Sequence, residues 1–122
     1  MPHPLRTAAV AALLLGATML PAAAHAHLVS ATPAADASAR AVTALVLHFT
    51  EVVEPAFTGV VLKTAAGAIV GTGAAKAEAA DPTTIDVPIP APLAPGRYEV
   101  DWHALAVDGH KTTGTYAFTV TP

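Results

Sequence analysis

The chain holds no cysteine, so no disulfide can staple it. If it is exported, it must be held by packing alone or helped by a ligand that binds only the folded form. Both methionines, Met1 and Met19, fall within the first 24 residues, and the remainder offers no thioether to a soft metal ion. From Leu28 onward helical apolar spacing is not sustained in any window. The alanine-rich AAKAEAA at 74–80 comes nearest, and it has no large apolar residue to bury. The apolar stretch from Ala8 to Leu20 is shorter than the ~20 residues a membrane helix needs. There is no GxSxG elbow, and GTGAAKA at 71–77 lacks the strand-to-helix setting and the GK[ST] ending of a phosphate loop. Past residue 24 acidic residues outnumber basic ones, which argues against a nucleic-acid partner.

What is present begins with a short start carrying Arg6, the apolar stretch, a break at Pro21 and the small residues Ala22, Ala23 and Ala24. This is the order of a secretory signal peptide, expected over 1–24 and expected to be removed, which leaves 25–122 as one small exported domain with no membrane span. Two cuts satisfy the small-x-small rule. One follows Ala24 and makes His25 the terminus; the other follows Ala26 and makes His27 the terminus. Either way a histidine gains a free amine beside its ring, and amine plus Nδ1 close a six-membered chelate that suits Cu(II) in tetragonal geometry.

From Leu28 onward, short runs of Val, Ile, Thr and aromatics are broken by Pro, Gly and Asp. They predict an all-β domain of about seven strands, a sandwich or Greek-key barrel, with strands near 27–31, 42–50, 57–64, 68–73, 83–89, 97–107 and 113–121. In the last of these Tyr116, Phe118 and Val120 share one face, expected to be the inner one. In the strand before it Trp102 is expected to point inward and His103 outward. The low-complexity segment 71–82 reads as a mobile loop.

The sequence AVDGHKTTG places Asp108 and His110 two apart at the end of a strand, where an extended chain projects both side chains to one side and Gly109 permits a tight approach. An aspartate and an imidazole could fill the copper positions that a terminal histidine leaves open. An Asp-Gly turn with a solvated histidine is the alternative. His48, in LVLHFTE, reads as a hydrogen-bonded structural histidine. Glu51 and Glu54 read as a charged strand edge. With His25 terminal, His-Ala-His could also wrap copper through the amine, two amides and the His27 ring; this needs free terminal residues, whereas HLVSATP looks like a strand tied into a sheet. His27 is accordingly expected as a neighbour of the site, with coordination left open.

Taken together, HAHLVSATPA, LVLHFTEVVEPAFTGV and PLAPGRYEVDWHALAVDGHKTTGTYAFTV resemble the CopC family of periplasmic copper-binding proteins over nearly all of the chain past residue 24. The resemblance implies an Ig-like or cupredoxin-like fold and places the family's terminal histidine on His25. It implies Cu(II) ligands at His25, Asp108 and His110, with Glu51 at an acidic position near the copper and able to act behind the ligands. It also implies a periplasmic role in copper buffering, delivery or resistance, and an inner-membrane CopD-like partner. Family members with a Cu(I) site carry a methionine-rich loop, where this chain reads KTAAGAIVGTGAAKAEAADP. Two other functions fit the residues: a copper mono-oxygenase with an N-terminal histidine brace, and a metal-free Ig-like interaction module. The former uses a second histidine without the extra carboxylate of Asp108; the latter predicts that Asp108 and His110 lie far from the terminus.

Overall fold

The structure, a computed structural model, describes residues 25–122; the expected signal segment 1–24 lies outside the described residues. Nine strands follow one another: β1 (Leu28–Thr32), β2 (Ser38–Ala39), β3 (Ala44–Phe49), β4 (Gly59–Thr64), β5 (Ile69–Val70), β6 (Lys76–Glu78), β7 (Asp81–Pro88), β8 (Gly96–Leu105) and β9 (Lys111–Val120). They make two sheets, one of four strands in the order β1-β3-β7-β6 and one of five in the order β2-β9-β8-β4-β5. This is a β-sandwich, with no closed barrel among the described residues. The hairpins β4-β5, β6-β7 and β8-β9 alternate between the sheets, so β8 returns to pair with β4 in Greek-key fashion.

Alternation builds the core. Along β8, Tyr98, Val100, Trp102 and Ala104 turn inward, while Arg97, Glu99 and His103 face solvent. Along β9, Tyr116, Phe118 and Val120 are buried, as the sequence pattern predicts. β3 contributes Leu45, Leu47 and Phe49 from the other sheet, and β7 contributes Ile85 and Val87. The rings of Phe49 and Trp102 meet edge to face across the sandwich, centroids 5.4 Å apart. Burying each such Leu or Phe contributes roughly 1.5–3 kcal/mol. Gly114 pairs with Trp102 in the β8-β9 register, and a Cβ there would lie 2.5 Å from the indole Cζ2, so the indole occupies the space a side chain would need. The Tyr98 hydroxyl donates to the Ala94 carbonyl at 2.7 Å and ties the proline-rich loop to the start of β8.

Two of the nine strands differ from the sequence expectation. The segment 71–82, read as a mobile loop, contains β6, which pairs antiparallel with β7 and is irregular between Ala77 and Glu78. β2 joins β9 in parallel through two residues. Strands of two or three residues are too short to show a period, and this is why neither was legible.

The segment that follows β3 reaches the same end of the sandwich as the β8-β9 turn. Val53 bridges Ala106, the Val107 amide donates to the Val52 carbonyl at 3.2 Å, and the Glu54 amide donates to the Leu105 carbonyl at 2.8 Å. The chain leaving β3 therefore lies against the end of the β8-β9 hairpin.

Candidate metal centre

Ala26 has no exposed surface and belongs to the hydrophobic core, whereas His25 and His27 on either side are exposed. An extended backbone produces this arrangement, sending the alanine inward and both rings outward. Side chains from both sheets hold it. Beyond β3, the Thr50 hydroxyl accepts the His27 amide at 2.9 Å and donates to the His25 carbonyl at 3.1 Å, while the Thr50 amide donates to the His27 carbonyl at 2.9 Å. From β9, the Thr112 hydroxyl donates to the Ala26 carbonyl at 2.7 Å.

Asp108 and His110 stand in the turn between β8 and β9, not in an extended strand as their spacing suggested: β8 ends at Leu105 and β9 begins at Lys111. Gly109 has φ +94°, which favours glycine, and its amide donates to the Ala106 carbonyl at 2.9 Å. The two side chains nevertheless converge, because Asp108 Oδ1 accepts the His110 amide at 3.0 Å, an Asx turn. Asp108 Oδ2 lies 3.1 Å from His110 Nδ1. The His110 amide is the largest influence holding the Asp108 carboxyl below the usual carboxylate range; the rings of His110 and His25 act in the same direction, and partial burial opposes them.

The turn brings His110 to the N-terminal segment. The rings of His25 and His110 are edge to face with centroids 4.9 Å apart, whereas His25 and His27 are 6.2 Å apart. With imidazole nitrogen about 2.0 Å from a metal ion, two rings on adjacent coordination positions have centroids roughly 4–5 Å apart. The His25-His110 pair falls in that range, whereas the His25-His27 spacing is that of rings on opposite positions. Among the described residues no three His, Asp or Glu side chains form a ready-made metal-ligand set. His110 Nδ1 is turned onto Asp108, so the residues are gathered but not yet aimed at one point. With Nδ1 carrying the proton towards Asp108, Nε2 is left as the ring's donor. An ion on Nε2 would lie on the ring edge facing away from Asp108, so the carboxylate has to leave Nδ1 to share that ion, and with about four lone-pair positions it can do so while still accepting the His110 amide.

The remaining candidates are placed elsewhere. His48 projects from the outer face of the four-stranded sheet, its Nδ1 2.8 Å from Thr84 Oγ1 and 3.5 Å from Asp81 Oδ2, in keeping with a hydrogen-bonded structural role. His103 covers Gly59 on the outer face of the five-stranded sheet. Glu51 is exposed next to Thr50, and no ion pair joins it to the histidines among the described residues. Thr50 and Thr112 escaped the sequence reading, because a lone threonine gives no sign of what its hydroxyl will meet.

The CopC domain family matches residues 28–121. Protein YobA of Escherichia coli K12 is 43% identical over 98 residues, covering 80% of this chain and 79% of its own. Copper resistance protein C of Pseudomonas syringae pv. tomato is 36% identical over 104 residues, covering 81% and 82%. Among solved structures, CopC from Methylosinus trichosporium OB3b superposes with a TM-score of 0.74 at 35% identity, over 80% of this chain and 95% of that one. PcoC from Escherichia coli, described as a methionine-rich copper resistance protein, gives the same TM-score at 33% identity, over 80% and 100%.

Proposed function

The chain belongs to the CopC family, and on that premise we propose that, exported and cut after Ala24, it binds one Cu(II) ion in the periplasm through His25, Asp108 and His110. The observation that carries this reading is the meeting of the His25 and His110 rings beside the Asp108 carboxylate, from opposite ends of the described chain. His25 supplies its amine and ring Nδ1, His110 supplies Nε2, and Asp108 supplies an anionic oxygen. Nitrogen and oxygen donors around a square favour Cu(II) over Cu(I).

The cut after Ala24 gains support from the packing of Ala26. A cut after Ala26 would remove a fully buried residue and the carbonyl that Thr112 binds. The chain's two methionines lie outside the described residues, so a soft Cu(I) site of thioethers has no donors in the domain. The protein acts as a binding protein rather than an enzyme, buffering copper or passing it on, and an inner-membrane transporter of the CopD kind is the partner the family implies. Among the described residues no helix is long and apolar enough to cross a membrane.

Titration of the mature protein with Cu(II), and separately with Cu(I) under reducing conditions, tests the reading. It requires one tight Cu(II) equivalent and weak Cu(I) binding. Tight Cu(I) binding, or no Cu(II) binding, would refute it.

A further inference from the structure

We infer that the hydroxyls of Thr50 and Thr112 select how copper is held, by fixing His25, Ala26 and His27 so that the terminal peptide cannot wrap the ion by itself. This rests on the proposed Cu(II) site and adds to it the residues that decide its coordination mode.

A chain beginning His-Ala-His offers copper two incompatible arrangements. In the fold-built one, the donors are the His25 amine and ring, the His110 ring and an Asp108 oxygen. In the peptide one, they are the His25 amine, the backbone nitrogens of Ala26 and His27, and the His27 ring. A free peptide of this sequence has the second arrangement within easy reach, because all of its donors lie in three consecutive residues.

The structure stands against the peptide arrangement at the His27 nitrogen and at the carbonyls of the two residues before it. The His27 nitrogen, a required donor, gives its hydrogen to Thr50 Oγ1 at 2.9 Å. The same hydroxyl donates to the His25 carbonyl at 3.1 Å, so one side chain bridges the residues on both sides of Ala26. Thr112 holds the Ala26 carbonyl at 2.7 Å from the opposite sheet, and the Ala26 side chain is wholly buried. Wrapping an ion through these backbone nitrogens would end the His27–Thr50 bond and turn both amides to one side, against the path in which Thr50 and Thr112 hold the two carbonyls and Ala26 is buried. The same contacts hold the His25 ring beside His110, at a centroid distance of 4.9 Å. The two threonines therefore close one arrangement and prepare the other. Thr50 directly follows β3 of one sheet and Thr112 lies in β9 of the other, so the two hydroxyls reach the segment from both layers.

The experiment is electron spin resonance of the Cu(II)-loaded mature protein, counting nitrogen donors, for wild type, Thr50→Ser, Thr50→Val and Thr50→Val/Thr112→Val, each with and without His110→Ala. Wild type and Thr50→Ser should give the spectrum of three nitrogens and one oxygen, altered by His110→Ala. The double valine variant should shift to four nitrogens and lose its sensitivity to His110→Ala, which a merely structural role for the threonines would not produce. A double variant that keeps the wild-type spectrum and its dependence on His110 would overturn the inference. A four-nitrogen spectrum in wild type would instead overturn the fold-built site itself, so the two failures are told apart. Should the double variant not fold, as read by circular dichroism, hydrogen exchange of the His27 amide in metal-free wild type decides: protection supports the grip, and exchange at the free-peptide rate refutes it.

Discussion

The imidazoles of His25 and His110 lie edge to face, their centroids 4.9 Å apart and their planes inclined at 72°. One belongs to the N-terminal segment and the other to the β8-β9 turn, so their proximity exists only in the folded chain. His110→Ala should therefore remove one nitrogen donor, change the Cu(II) spin-resonance spectrum and weaken binding at least tenfold. His27→Ala, whose ring lies farther from His25, should change neither by more than about twofold. Competitive titration of the two variants against a chelator of known affinity measures both.

The proposed ligand set, drawn from residues far apart in the sequence, would also tie copper to stability. An ion that binds the native form far better than the unfolded one should stabilise it by at most about 2.7 kcal/mol at 100 times its dissociation constant and about 4.1 kcal/mol at 1,000 times, reduced by whatever copper the unfolded His-Ala-His terminus still holds. Thermal melts with and without Cu(II), repeated on His110→Ala, provide the check. An unchanged melting curve for wild type at saturating Cu(II) would favour the metal-free module.

Much of this was legible from residue order. The alternation in GRYEVDWHAL and TYAFTV is long enough to fix which face is inner, and Trp102, Tyr116 and Phe118 are buried where that pattern puts them. The pairing of Asp108 with His110 was legible as a motif but not as a geometry. Spacing suggested an extended chain, while Gly109 at positive φ makes a turn in which the aspartate caps the next residue but one. β2 and β6 could not be read, since their pairing depends on what β9 and β7 leave open at the sheet edges. Thr50 and Thr112 could not be read either, because each bonds to residues far away in sequence.

Gly114 is a point where the core tolerates no side chain. Gly114→Ala would put a methyl 2.5 Å from the Trp102 indole and should destabilise the fold by about 1–3 kcal/mol. Gly71→Ala, where nothing lies within 4 Å, should be close to neutral. Urea midpoints of the two variants separate crowding at Gly114 from a general cost of adding a methyl.

Acid should weaken the outer face of the four-stranded sheet through Asp81. Hydrogen bonds from Thr83 and Thr84, with a smaller contribution from His48, hold its carboxyl below the usual carboxylate range. A carboxyl lowered on folding contributes stability that is present above its unfolded value of about 3.9 and is lost as pH falls through the lower folded value. The acid limb of the stability curve should therefore be shallower in Asp81→Asn than in wild type, with the two differing most near neutral pH and converging in strong acid. Urea midpoints taken from pH 7 down to pH 2 record the difference.

Export is expected to leave His25 as the first residue, and this residue is proposed to join Asp108 and His110 around one copper ion. Native mass spectrometry of the exported protein, taken with its metal retained, tests both halves at once. The result expected is a chain that begins at His25 and carries one copper, and a His110→Ala chain that yields its copper to a competing chelator which leaves the wild type loaded. A chain beginning at His27, an uncut chain, or a His110→Ala protein that keeps its copper against that chelator would contradict the proposal.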